Sequence, residues 1–106
     1  MENEKILRAL GLCARARALV FGTPMVCEAL RNAKKPYLVL EVSDNSENTA
    51  KRIADKCTFY GVELVRLPFD GDALAGAIGK HARVAAVAIT DENLCKLVKS
   101  TIEKHG

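Results

Sequence analysis

The sequence predicts an α/β protein, a three-layer α/β/α sandwich around a central mixed sheet of four strands. Two observations carry this reading. Short β-branched runs alternate along the chain with longer stretches in which apolar residues recur every three or four positions. The short runs also read as apolar on both faces, so the sheet they form needs helices above and below it. An all-helical bundle fails on these strands.

Residues 2–17 place Ile6, Leu7, Leu10, Cys13 and Ala14 at helical spacing, with Lys5, Arg8 and Arg15 elsewhere around the wheel. This predicts an amphipathic first helix, interrupted at most by Gly11. The Leu19-Val20-Phe21 run ends at Gly22. Thr23-Pro24 then reads as an N-cap followed by proline in the first helical position, where its missing N–H costs nothing. The second helix turns Val26, Cys27, Ala29 and Leu30 inward and stops before Pro36. Residues 37–42 form a largely buried strand that runs into the turn Ser43-Asp44-Asn45-Ser46. In the third helix Ala50, Ile53, Ala54 and Cys57 face inward, Lys51, Arg52, Asp55 and Lys56 face water, and Gly61 is the stop. Residues 62–67 are a strand, Asp72 is the expected cap of a short helix through Ile78, and residues 84–89 are another strand. Thr90-Asp91 opens the last helix, with Leu94, Leu97, Val98 and Ile102 as its inner stripe.

With 106 residues and 49% hydrophobic content, the chain can bury one core but not two, so a single domain over residues 1–106 is expected. No apolar run reaches the roughly 18 to 20 residues that span a bilayer, and the opening residues mix acids and bases. Neither export nor membrane insertion is expected, and the setting is cytoplasmic. Cys13, Cys27, Cys57 and Cys95 are far apart with no C-x-x-C pair, and His81 and His105 lack ligand-like spacing. The cysteines therefore read as buried reduced thiols, and no metal or other cofactor is expected.

Catalytic signatures are absent from the sequence: there is no G-x-G-x-x-G after a strand, no P-loop, no G-x-S-x-G and no H-E-x-x-H. Asp70 and Asp72 flank Gly71 as turn and cap residues rather than as an acid/base pair, and His81 has no nameable partner. The reading is a non-enzymatic protein without a small-molecule substrate.

Charge distribution is more informative than the net charge of +3. Residues 1–35 carry seven bases against three acids, residues 36–79 four against seven, and residues 80–106 five against three. Three local features suit RNA. Gly22, Thr23, Pro24 and Met25 open a helix whose first N–H groups can face phosphate or a base edge. Lys80, His81, Ala82 and Arg83 form a basic loop ahead of a buried strand, with cations for phosphate and an imidazole for stacking. Arg15, Arg17, Arg31 and Lys34 surround the ends of the first two helices, where they extend a positive surface.

The sequence also resembles the L7Ae/L30e superfamily of ribosomal proteins, and within it the bacterial YlxQ-type branch. The likeness runs through Leu10-Gly11-Leu12-Cys13-Ala14-Arg15-Ala16-Arg17 and the step from Val20 to Gly22. It continues through Leu38-Val39-Leu40 leading into Ser43 to Thr49, and Asp55-Lys56-Cys57 with Tyr60-Gly61-Val62. Ile78 to Arg83 and Val87-Ala88-Ile89-Thr90-Asp91 complete it. The resemblance implies the α/β/α sandwich and binding of kink-turn or related structured RNA, such as ribosomal RNA, in ribosomes or other ribonucleoproteins. It further implies that a Gly-x-Asn-Glu-x-x-Lys signature at the start of the second helix reads sheared G·A pairs. In this register only Gly22 matches: Pro24 stands for Asn, Met25 for Glu and Glu28 for Lys. Proline has no donor, methionine cannot accept from a purine, and Glu28 repels phosphate. The family's lysine before the short helix falls near Gly71. The fold, the basic loop and the backbone of the helix start are what this sequence retains for RNA.

A reading of a different class is a protein-interaction or self-association module, with Met25 and Val26 as an apolar contact at an exposed helix end. A substrate-presenting domain of an RNA methyltransferase is a third, weakened because the chain carries no methyltransferase segment.

Overall fold

The computed structural model describes residues 3–103. Five helices and four strands alternate: α1 (Asn3–Arg15), β1 (Leu19–Phe21), α2 (Thr23–Arg31), β2 (Leu38–Glu41), α3 (Glu47–Tyr60), β3 (Leu64–Arg66), α4 (Gly71–Ala77), β4 (Ala86–Ile89) and α5 (Glu92–Glu103). The sheet order is β1-β4-β2-β3. Strand β4 runs antiparallel to both neighbours, and β2 and β3 are parallel, so the sheet is mixed.

Strand alternation divides the side chains between two helical layers. Leu38, Leu40, Val87 and Ile89 pack with Ile6, Leu10 and Cys13 of α1, Leu74 of α4, and Cys95 and Val98 of α5. From the same two strands, Val39, Ala86 and Ala88 pack on the opposite face with Val26 and Leu30 of α2 and Ile53 and Cys57 of α3. Both strands are buried at every position, which is why their sequence is apolar on both faces apart from Glu41, itself buried at the end of β2. The three-layer sandwich is therefore the observed architecture.

Several boundaries differ from the sequence expectation. Helix α1 ends at Arg15 because the chain turns there: Ala18 N donates to the Cys13 carbonyl at 2.9 Å, and Arg17 takes a φ of 57°. The predicted start at Glu2 and the histidine at His105 lie outside the described residues. The N-cap of α2 is Gly22, with no side-chain capping bond, so Thr23 is already helical. Asp70, not Asp72, caps α4, its Oδ1 accepting from the Ala73 N–H at 2.9 Å. In α5 the buried stripe runs through Cys95 and Val98, while Leu97 is exposed.

All four cysteines are free and buried. Burial, reinforced by the charge of Asp91, pushes the Cys13 thiol up to about 11, and burial with neighbouring Cys27 and Glu41 does the same to Cys57. Burial also raises Cys95. Cys13, Cys57 and Cys95 are thus packing residues, held protonated at neutral pH. No helix among the described residues is long and apolar enough to cross a membrane.

Candidate nucleic-acid interface

The connections β1–α2, β2–α3 and β3–α4 all leave the carboxyl ends of their strands, and the α4–β4 connection enters at that same end. The pairing makes this explicit: Phe21 lies opposite Val87, and Glu41 opposite Ala86. The Gly22 N–H then donates to the Ala86 carbonyl at 2.9 Å, so the start of α2 abuts the loop that leads into β4. Gly22 makes the turn with φ 91° and ψ 143°, backbone that glycine adopts without a steric cost. Thr23 is half-buried, and Pro24 and Met25 are exposed.

Lys80 bridges the two segments. Its Nζ lies over the Phe21 ring, 4.5 Å from the centroid, one residue before Gly22. Helix α4 fixes the lysine's backbone, since the Lys80 N–H donates to the Ala75 carbonyl at 2.8 Å. His81 and Ala82 follow in an exposed bend. Arg17 shares a groove with Phe21 and Lys80 along the open edge of β1, and Arg15 lines an adjoining one beside Gly79. Among the described residues, no carboxylate is within ion-pair distance of Arg15, Arg17 or Lys80. The expected adjacency of helix start and basic loop is thus present in the fold, and with it a positive surface.

Three predicted cations stand apart from that surface. Arg83 reaches across the surface to the β2–α3 connection: its Nη2 donates to Asp44 Oδ1, the Asp44 carbonyl and Asn45 Oδ1, each at 3.0 Å. Its stem lies against Gly71, leaving no room for a Cβ there. The Asp44 carboxylate also accepts from the Gly71 N–H at 3.0 Å. Its bond to Arg83 holds the Asp44 carboxyl below its usual range. Arg83 therefore ties three connections together through contacts that leave its side chain 41% exposed.

Arg31 and Lys34 lie at and beyond the far end of α2, which at about 1.5 Å per residue is roughly 13 Å from its start. There the chain turns back toward Ile89, whose carbonyl accepts from the Tyr37 N–H at 2.8 Å. They occupy the opposite end of the sheet from Lys80 and do not extend the same surface.

Sequence reasoning did not select Phe21. Its signal was slight, an aromatic residue directly before a turn glycine, but it is 39% exposed at the mouth of the groove. Val26, expected as part of an apolar contact, is fully buried in the α2–α3 layer, so that of the Met25–Val26 pair only Met25 is exposed.

Known proteins share both the sequence pattern and the fold. The family described as Ribosomal protein L7Ae/L30e/S12e/Gadd45 is matched over residues 4–99. A protein of Bacillus subtilis (strain 168) named RNA-binding protein YlxQ is 41% identical over 95 residues, covering 89% of this chain and 91% of that protein. The Enterococcus faecium protein of the same name is 33% identical over 101 residues, 95% of this chain and 94% of its own length. Among solved structures, a protein with unknown function from Bacillus halodurans C superposes with a TM-score of 0.82 at 33% identity, covering 93% of this chain and 97% of that one. The Giardia lamblia 15.5kD RNA binding protein superposes with a TM-score of 0.80 over 98% of this chain and 88% of its own; at 19% identity that likeness concerns the fold. The chain belongs to the ribosomal protein L7Ae/L30e/S12e/Gadd45 family, in its YlxQ-type bacterial branch.

Proposed function

We propose that this protein is a non-catalytic RNA-binding protein that recognises structured RNA through shape and phosphate contacts at the carboxyl end of its sheet. The observation that carries the reading is the juxtaposition of the Gly22 turn with Lys80, flanked by Arg17 and Arg15 and free of carboxylate partners among the described residues. Backbone N–H groups at the start of α2 and flexible cations beside them supply what a folded polynucleotide backbone needs. The names of the Bacillus subtilis and Enterococcus faecium relatives support the same conclusion.

The target we infer is a kink-turn-like element, of ribosomal RNA or another RNA, bound in the cytoplasm and on the ribosome. Its recognition rests on backbone geometry rather than on reading G·A pairs, because Pro24, Met25 and Glu28 occupy the positions at which such reading is done in the family. A protein-interaction module is the weaker reading, since burial of Val26 removes half of the apolar contact it called on.

The test is fluorescence anisotropy on a kink-turn hairpin and on a fully paired control across a series of salt concentrations. Neutralising about three to five phosphates gives a slope of log K against log salt on the order of −2 to −4. Lys80→Ala should reduce that slope by about one, while Arg31→Ala and Lys34→Ala leave it unchanged. Absence of binding to either RNA at low salt refutes the proposal.

A further inference from the structure

The groove along the β1 edge has a composition that phosphate attraction alone does not explain. Ala14, Leu19 and Ile78 give it apolar walls, Phe21 offers a ring, and Arg17 and Lys80 are its charged members. It holds about 240 Å³ and its lining includes no acid. That is smaller than the roughly 300 to 1,000 Å³ of sites for drug-sized ligands, and it suits one flat ring system. It lies on the α1 and α4 side of the sheet, on the opposite face from α2, so a duplex seated at the helix start need not fill it.

We propose that this groove takes one unpaired nucleotide of the bound RNA, the base stacking on Phe21 and the adjoining phosphate lying against Lys80 and Arg17. This rests on the RNA reading above and adds a base-stacking subsite to it. An aromatic ring beside cations is the combination by which single-stranded segments are held, because every base has a π face and every nucleotide a phosphate. The Lys80 ammonium that covers the ring at 4.5 Å is the group an arriving base displaces. Its flexible stem lets it move from the ring face to the phosphate, exchanging a cation–π contact for a charge pair. Arg17 is set at the groove by the left-handed backbone that ends α1, with φ 57°.

The chain contains no tryptophan, so Phe21→Trp introduces a fluorophore at the proposed stacking position alone. The probes are a short oligoadenylate and free AMP, with the kink-turn hairpin as a reference. Oligoadenylate should quench the tryptophan emission saturably, in step with the anisotropy change. Phe21→Leu, which keeps an apolar side chain but removes the flat ring, should weaken oligoadenylate binding roughly five- to hundredfold without altering its salt slope. Phe21→Tyr should bind as the wild type does, and circular dichroism checks that each variant is folded. Oligoadenylate binding with unchanged tryptophan emission, or undiminished by Phe21→Leu, overturns the stacking subsite and leaves the RNA reading standing. AMP binding as tightly as oligoadenylate overturns it in favour of a free-nucleotide site. Failure of the wild type to bind oligoadenylate while it binds the hairpin also overturns it, whereas failure to bind either removes the RNA reading itself.

Discussion

Gly22 sits where the site is made and where its backbone leaves little choice. With φ 91° and ψ 143° it occupies a region nearly closed to L-residues, yet a Cβ there would meet nothing within 4 Å. Replacement therefore costs conformational strain rather than a clash. Gly22→Ala should lower the free energy of unfolding by about 1 to 3 kcal/mol, read from the midpoint of urea denaturation. An unchanged midpoint would mean that the turn is free to relax. Glycine's requirement at this position was legible in sequence, because a single residue between a strand and a Thr-Pro helix start must redirect the chain by itself. The role of Phe21 was not, since the lysine over its ring is 59 positions away and β1 is only three residues long. Nor did the sequence distinguish Arg83 from Lys80. Both are cations of one loop, and only the fold brings Asp44 and Asn45 to the first of them.

The elements were read with most success where periodicity is long and caps are unambiguous. Helix α3 is the clear case: Ser46 accepts from the Thr49 N–H, Ile53 and Cys57 form the buried stripe, and Gly61 closes the helix in a left-handed conformation. The short helix α4 is the instructive failure. Asp70-Gly71-Asp72 offers two carboxylates, one on each side of a glycine, and seven residues give too little periodicity to choose between them. The choice is made by tertiary packing, because Gly71 must lie beneath the Arg83 side chain and so falls inside the helix. Asp70→Ala should accordingly cost about 0.5 to 2 kcal/mol through the lost cap. Asp72→Ala, which loses only a favourable first-turn charge, should cost at most about 1 kcal/mol. Equal losses in thermal denaturation would show that the cap is shared between them. Helix α5 was legible at Leu94, Val98 and Ile102, all of which pack on the core, and missed at one position: Leu97 also fits a stripe about 100° wide, but packing against α1 turns Cys95 inward in its place.

In the molecule as a whole, the carboxyl end of the sheet is held by contacts between segments far apart in sequence. Arg83 binds Asp44 and Asn45, the Asn45 amide donates to the Ala85 carbonyl, Asp44 accepts from the Gly71 N–H, and the Arg66 guanidinium donates to the Ser43 carbonyl. Three connections are thereby fixed to one another, and Lys80 stands on one of them. This arrangement has a pH signature. The folded protein holds the Asp44 carboxyl below its ordinary value of 3.8, so the stability it contributes is fully present above that value and is lost as pH falls through the lower folded one. Asp44→Asn should therefore melt below the wild type near neutral pH, and the gap should close in acid. The same variant separates two accounts of binding. If the surface acted only through summed charge, removing an acid near it would tighten RNA binding. If the Asp44–Arg83 contact sets the position of Lys80, Asp44→Asn should weaken binding despite the more positive charge, because ordering the loop then falls to the binding step. Anisotropy at fixed salt decides between them, and tighter binding by the variant would show that Lys80 owes nothing to the contact beneath it.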